Sequence, residues 1–129
     1  MLAVAFEILQ GPAAIPKPEP HIQSYVYRSS FWHLAAEATP DLDKLAIRIR
    51  GIVSQVSGEV WILAWGQRYG DNRTRVYARL YAFDGSSVRT VWKRDALYGG
   101  TIDASEDRIT VTYYDRGRWG VIRQTWNNM

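Results

Sequence analysis

EVWILAWGQRYGDNRTRVYARLYAFD, residues 59–84, decides the fold. Its side chains sort by twos. Val60, Ile62 and Ala64 fall on one side of an extended chain, and Trp61, Leu63 and Trp65 on the other. Val76, Ala78, Leu80 and Ala82 oppose Tyr77, Arg79, Tyr81 and Phe83 in the same way. A repeat of two is the period of a β-strand, because successive Cβ atoms leave opposite faces of the sheet. The first of these strands is apolar on both faces, which places it centrally. Gly70, Asp71 and Asn72 supply the backbone conformations of the turn between them.

The rhythm runs outward in both directions. Upstream, LAIRIRGIV (45–53) sets Leu45, Ile47 and Ile49 against Ala46, Arg48 and Arg50, with Ser57-Gly58 as the next turn. Downstream, Asp84-Gly85 is a hairpin signal before SVRTVWKR, and LYGGTIDAS follows as a strand weakened by Gly99 and Gly100. RITVTYYD and WGVIRQTW close the series around turns at Ser105-Glu106-Asp107 and Arg116-Gly117. IQSYVYR (22–28) is a short strand. SSFWHLAAEATPD reads differently. Ser29 or Ser30 can cap a helix, Phe31, Leu34, Ala35 and Ala38 share a helical face, and Thr39-Pro40 stops it. The expected fold is therefore mainly β: an antiparallel meander or sandwich of about seven strands with one short N-terminal helix.

The chain is long enough for one domain and too short for two, with 129 residues. At 47% apolar residues it can build a core without a disulfide or metal. Having no cysteine, it excludes thiolate zinc sites and cysteine nucleophiles. GPAAIPKPEP (11–20) holds four prolines, so residues 1–20 read as an extended arm with a Pro-rich linker, and 21–129 as a single β-rich domain. No stretch is long and apolar enough for a membrane span. Leu2 to Phe6, stopped by Glu7, is no complete signal peptide and suits an edge strand.

The formal net charge of +3 is uneven, about −2 over residues 1–47 and +5 beyond. Thirteen arginines against three lysines bring nucleic acid or acidic glycans to mind. The arginines alternate with apolar residues along strands, however, so they are expected on a solvated face, and nucleic acid ranks behind other partners. A nucleic-acid binder would also show steep salt dependence.

Chemistry-bearing clusters are sparse. His21, in the proline-rich arm, and His33, in the predicted helix, stand twelve residues apart, which is no common ligand spacing. Asp41 with Asp43, and Asp103 with Glu106 and Asp107, are the carboxylate groupings a hydrolase would use, but they fall in apparent turns, where acidic residues cap and solvate. No phosphate-cradling loop and no nucleophile elbow occurs. No catalytic residue, metal or cofactor is assigned. Aromatic content says more. Six Trp and eight Tyr are many for this length. Trp61 and Trp65 suit the core, whereas Tyr69, Tyr98, Tyr114 and Trp119 lie near strand ends or turns. Flat rings there can stack on sugars or meet a protein. These four are the candidate binding residues.

VRTVW (88–92) recurs as IRQTW (122–126). AFDGSSVRTVW (82–92) resembles the repeat of quinoprotein-type β-propellers, whose blades carry Ala-x-Asp-x-x-Thr-Gly-x-x-x-Trp. Ala82, Asp84 and Trp92 match, and Ser87 stands where the threonine would. Val88 departs from the glycine, and the second copy has Arg116 and Arg118 in place of the alanine and aspartate. The resemblance implies that Trp92 and Trp126 are packing devices, and that a blade-like rhythm extends over 59–126. It carries over no quinone or metal site, and it implies an extracytoplasmic (periplasmic or secreted) location. A blade takes about 40–50 residues, so the chain would hold two propeller-like blades and close a ring only by oligomerising. Small two-blade lectins solve the problem in that way. The function expected from these readings is a non-enzymatic domain for protein or carbohydrate binding or assembly. The alternatives are a lectin-like protomer that forms a ring and a small carboxylate-dependent hydrolase.

Overall fold

Alternation of the kind just described commits the backbone to extended geometry, and pairing does the rest. The structure, a computed structural model, describes residues 2–10, 18–42, 47–53, 58–70, 73–105, 108–115 and 120–127. Among them are nine strands in two antiparallel sheets and no helix. Sheet A joins β1 (Leu2–Gln10), β2 (Pro18–Arg28) and β3 (Phe31–Ala38). Sheet B is a meander of β4 (Ile47–Val53), β5 (Val60–Gly70), β6 (Arg73–Phe83), β7 (Val88–Ala104), β8 (Arg108–Asp115) and β9 (Gly120–Asn127). Each strand in both sheets bonds to its sequence neighbour.

The helix expected after Ser30 is a strand. Phe31–Ala38 pairs with β2, Tyr27 opposite Trp32 and Ile22 opposite Ala38. Ser29 and Ser30 do not cap anything. Both have positive φ, 52° and 68°, and make the two-residue turn between β2 and β3. The helical face of Phe31, Leu34, Ala35 and Ala38 was an accident of a β-bulge: Ser24 faces Ala36 but Tyr25 faces Leu34, leaving Ala35 over. A ready partner strand outweighs a marginal helical pattern. Positive φ costs an L-residue about 1 kcal/mol. Replacing Ser29-Ser30 by Asn-Gly, the pair best suited to such turns, therefore raises the unfolding free energy by about 1 kcal/mol, measurable as a higher urea midpoint.

The count of about seven strands becomes nine for stated reasons. Residues 2–10, suited to an edge strand, are β1. The predicted helix is β3. SVRTVWKR and LYGGTIDAS are one strand, β7, rather than two. Its first half bonds to β6 and its second half to β8. The bend between them lies where Ala96 and Gly99 have positive φ, 53° and 58°. Next to it, a Cβ on Gly100 would lie 3.1 Å from Val76, so the backbone approaches β6 closely there. The boundary drawn at residue 20 falls inside β2, and His21 and His33 lie in β2 and β3. Pro18 and Pro20 precede Ile22, where pairing with β3 begins, so no ladder on that side loses a donor to them.

Each face of sheet B builds a core. Leu63, Val76, Ala78, Leu80, Ile109 and Val111 share one, with Trp61, Trp65 and Trp126 packed against it. Residues from β5 to β8 contribute to this one cluster. Trp92 on β7 and Trp126 on β9 close the fold with ring centroids 5.1 Å apart. The other face, through Ile62, Ala64, Tyr81 and Phe83, packs on Ile22 and Ala38 of sheet A. β5 thus lies between covered faces, as its double apolar pattern requires. Arg79 does not follow the expected solvated face: it is 4% exposed, within the layer between the sheets.

The turn from β6 to β7 is held by Asp84. Its Oδ1 accepts the amides of Ser86 and Ser87 at 2.9 and 2.8 Å, and the hydroxyls of both serines also donate to it. These bonds, the Ser86 amide first, hold the carboxyl down to about 2. The folded value lies below the unfolded one, so the turn's contribution is complete above the usual carboxylate range and fades as pH falls through about 2. Asp84→Ala should speed exchange of the Ser86 and Ser87 amides at neutral pH and abolish the loss of their protection that the parent should show as Asp84 protonates, as hydrogen-exchange NMR would show.

Candidate functional site

The β2–β3 hairpin carries four of the six exposed large hydrophobic side chains found among the described residues. β2 turns Ile22 and Ser24 inward, so Gln23, Tyr25 and Tyr27 face out. On β3, Trp32 and Leu34 lie opposite Tyr27 and Tyr25. Phe31, opposite Arg28 at the turn, is exposed too but on the other face of the hairpin. Tyr27, Trp32, Leu34 and Phe31 are between 46% and 69% exposed. Tyr27 and Trp32 lean together, ring centroids 5.3 Å apart and planes at 59°. Isolated exposed apolar side chains are ordinary, but three grouped on one face of a hairpin end are not.

A polar cluster bounds the group toward the other end of the hairpin. His21 Nδ1 and Gln23 Nε2 lie 2.9 Å from the two oxygens of Glu37, and Tyr25 Oη donates to Gln23 Oε1 at 2.5 Å. The bonds from Gln23 and then His21 hold the Glu37 carboxyl below its usual range. These groups satisfy one another, which fixes the Gln23 and Tyr25 side chains beside the rings.

The four aromatic residues predicted as binding residues do not form this surface. Tyr98 and Tyr114 are brought together as direct cross-strand partners on β7 and β8. The guanidinium of Arg75 lies 5.1 Å from the Tyr98 ring centroid. Tyr114 is 40% exposed, beside Val121 of β9. Tyr69 lies in β5 opposite Thr74, on a different part of the sheet. Trp119 lies outside the described residues. The aromatic hairpin end was missed because a helical reading turned Phe31 and Leu34 toward a core. Its signal is the mirrored alternation of Tyr25 and Tyr27 with Trp32 and Leu34 about two serines.

The carboxylate groupings are described only in part. Asp103 is exposed on β7 opposite Thr110, Asp41 is exposed after β3, and Asp43, Glu106 and Asp107 lie outside the described residues. Among the described residues, no three His, Asp or Glu side chains gather as metal ligands would. None of the described residues forms a helix long and apolar enough to cross a membrane. No protein family matches the chain, and no curated protein or solved structure does.

Proposed function

We propose that this chain is a binding or assembly domain whose outward sheet A face, Tyr27, Trp32 and Leu34, meets a protein partner. The observation that carries the reading is the exposure of these three side chains together on one face at the hairpin end. A protein partner suits them better than a sugar. Leu34 has no polar group, and the neighbouring hydrogen-bonding groups on Gln23 and Glu37 are already bonded to each other. Sugar sites need rings flanked by available donors and acceptors. Aromatic anchors with an apolar neighbour are what protein interfaces concentrate at their centres.

A photo-crosslinking residue in place of Leu34 tests the reading in the cells that make the protein. One discrete protein adduct is expected, lost on Trp32→Ser, with none from the same residue placed at Asp103. Retained adduct in Trp32→Ser would overturn the assignment of the surface. Binding to a glycan panel that disappears in Trp32→Ser would overturn the choice of partner.

The two-blade, ring-forming reading keeps some support. Asp84 and Ser87 hold the turn in the stretch that resembles a propeller blade, and Trp92 packs against Trp126. Against it stands the bonding of β4 to β9 in one continuous sheet. Light scattering separates the readings, since a lectin-like ring requires a trimer or larger closed assembly.

A further inference from the structure

One row across sheet B gathers rings and positive charge. Arg75 of β6 pairs with Tyr98 of β7, Tyr98 with Tyr114 of β8, and Tyr114 with Val121 of β9. Arg123 stands opposite Thr112, diagonal to Tyr114 and within its reach. The row lies on the face turned from the tryptophan core, because Tyr113 packs on that core and its neighbour Tyr114 points the other way. Tyr114 is 40% exposed, and Val121 and Arg123 are exposed beside it. Sheet A packs on this face further along β6, at Tyr81 and Phe83, and leaves this end open.

The charge of the row is not spent within the fold. Arg79 is bonded to three carbonyls and Asp95, and Arg89 to Glu59. Arg75 is half-buried against the Tyr98 ring, and no ion pair among the described residues includes Arg75 or Arg123. The acid on this stretch of the face, Asp103, stands opposite Thr110, two rows from Tyr114.

We infer that this row binds single-stranded nucleic acid, with a base stacked on Tyr114 and phosphates held by Arg75 and Arg123. An exposed ring flanked by guanidinium groups complements a ligand that joins flat rings to negative charge. The two arginines stand on β6 and β9, three strand spacings or about 14 Å apart, which is more than one phosphate spans and suits a chain. The face is open, whereas a lone nucleotide needs a pocket that encloses most of its surface. Bases in a duplex stack on one another, so only an unpaired strand offers a flat face to Tyr114. Alternation along the sequence shows these arginines facing out, but only the register shows which rings they flank. The site is separate from the sheet A surface, and Trp32→Ser leaves it untouched.

Fluorescence anisotropy with the full chain tests it, using labelled oligothymidylate, a DNA duplex of equal length, and heparin. Oligothymidylate should bind at low salt. Tyr114→Ala should weaken that binding roughly tenfold, and Tyr114→Phe, which keeps the ring, should retain it. Tyr114 is exposed, so neither change opens the core. Duplex and heparin, held by charge alone, should not distinguish the two variants. Arg123→Gln and Arg75→Gln should each lower the slope of log affinity against log salt by about 0.7, the share of one phosphate contact on a single strand. A parent protein that ignores oligothymidylate at low salt would overturn the inference. So would equal losses in Tyr114→Ala and Tyr114→Phe, or a salt slope that both arginine variants leave unchanged. Heparin binding with the same dependence on Tyr114 would assign the row to acidic glycans and overturn the choice of ligand.

Discussion

Arg79→Ala should lower the unfolding free energy by about 1–3 kcal/mol, the cost of leaving buried acceptors without their charged donor. The guanidinium donates to the carbonyls of Ala78, Arg94 and Asp41 at 2.9, 3.1 and 2.9 Å. It also pairs with Asp95 Oδ1 at 2.7 Å. The carbonyls matter more than the carboxylate. Asp95 is 56% exposed, so its charge is well screened, and Asp95→Asn should cost about 0.5 kcal/mol. The three carbonyls belong to three places: β6 itself, the bend region of β7, and the segment leaving sheet A. Removing the donor strands acceptors at all of them. Arg79→Lys should recover little, since one ammonium cannot span the fork of a guanidinium. Urea unfolding of the three variants checks the order. A loss below about 1 kcal/mol for Arg79→Ala would equate the group with a surface ion pair and refute this account.

Trp92→Ala should cost about 3–5 kcal/mol, the range for truncating a large buried ring. Trp92 is buried, and its neighbour Trp126 is half-buried, so Trp126→Ala should cost less. The two effects should not add. Their rings, on β7 and β9, are in contact, and a tilted aromatic pair couples by about 0.5–1.5 kcal/mol. A double-mutant cycle in guanidinium chloride measures the coupling, and additivity within about 0.3 kcal/mol would mean that the rings are neighbours without being partners.

Much of this architecture is written in the alternation of side chains. Val60 to Trp65 announces a strand covered on both faces, and β5 is one. Three features resist such reading for physical reasons. Phe31–Ala38 carries a bulge, which breaks the period of two and imitates a helical spacing. Arg79 looks like its solvent-facing counterparts, because its buried partners are main-chain carbonyls that any sequence could supply. The continuity of β7 is hidden by two glycines that commonly end a strand but here bend one. The aromatic surface shares the first of these obstacles, since its residues were visible but their direction depended on the bulge. Tyr98 and Tyr114 were singled out separately, and only the strand register shows them side by side.

Because no strand waits for a distant one, both sheets can be laid down in the order in which the ribosome delivers them. Each new hairpin closes a short loop, which keeps the entropic cost of every addition small. The last strand is the exception to this comfort. Until Trp126 has left the exit tunnel, Ile109 and Val111 lack their final cover, so a stalled or truncated chain is the form most in need of a chaperone.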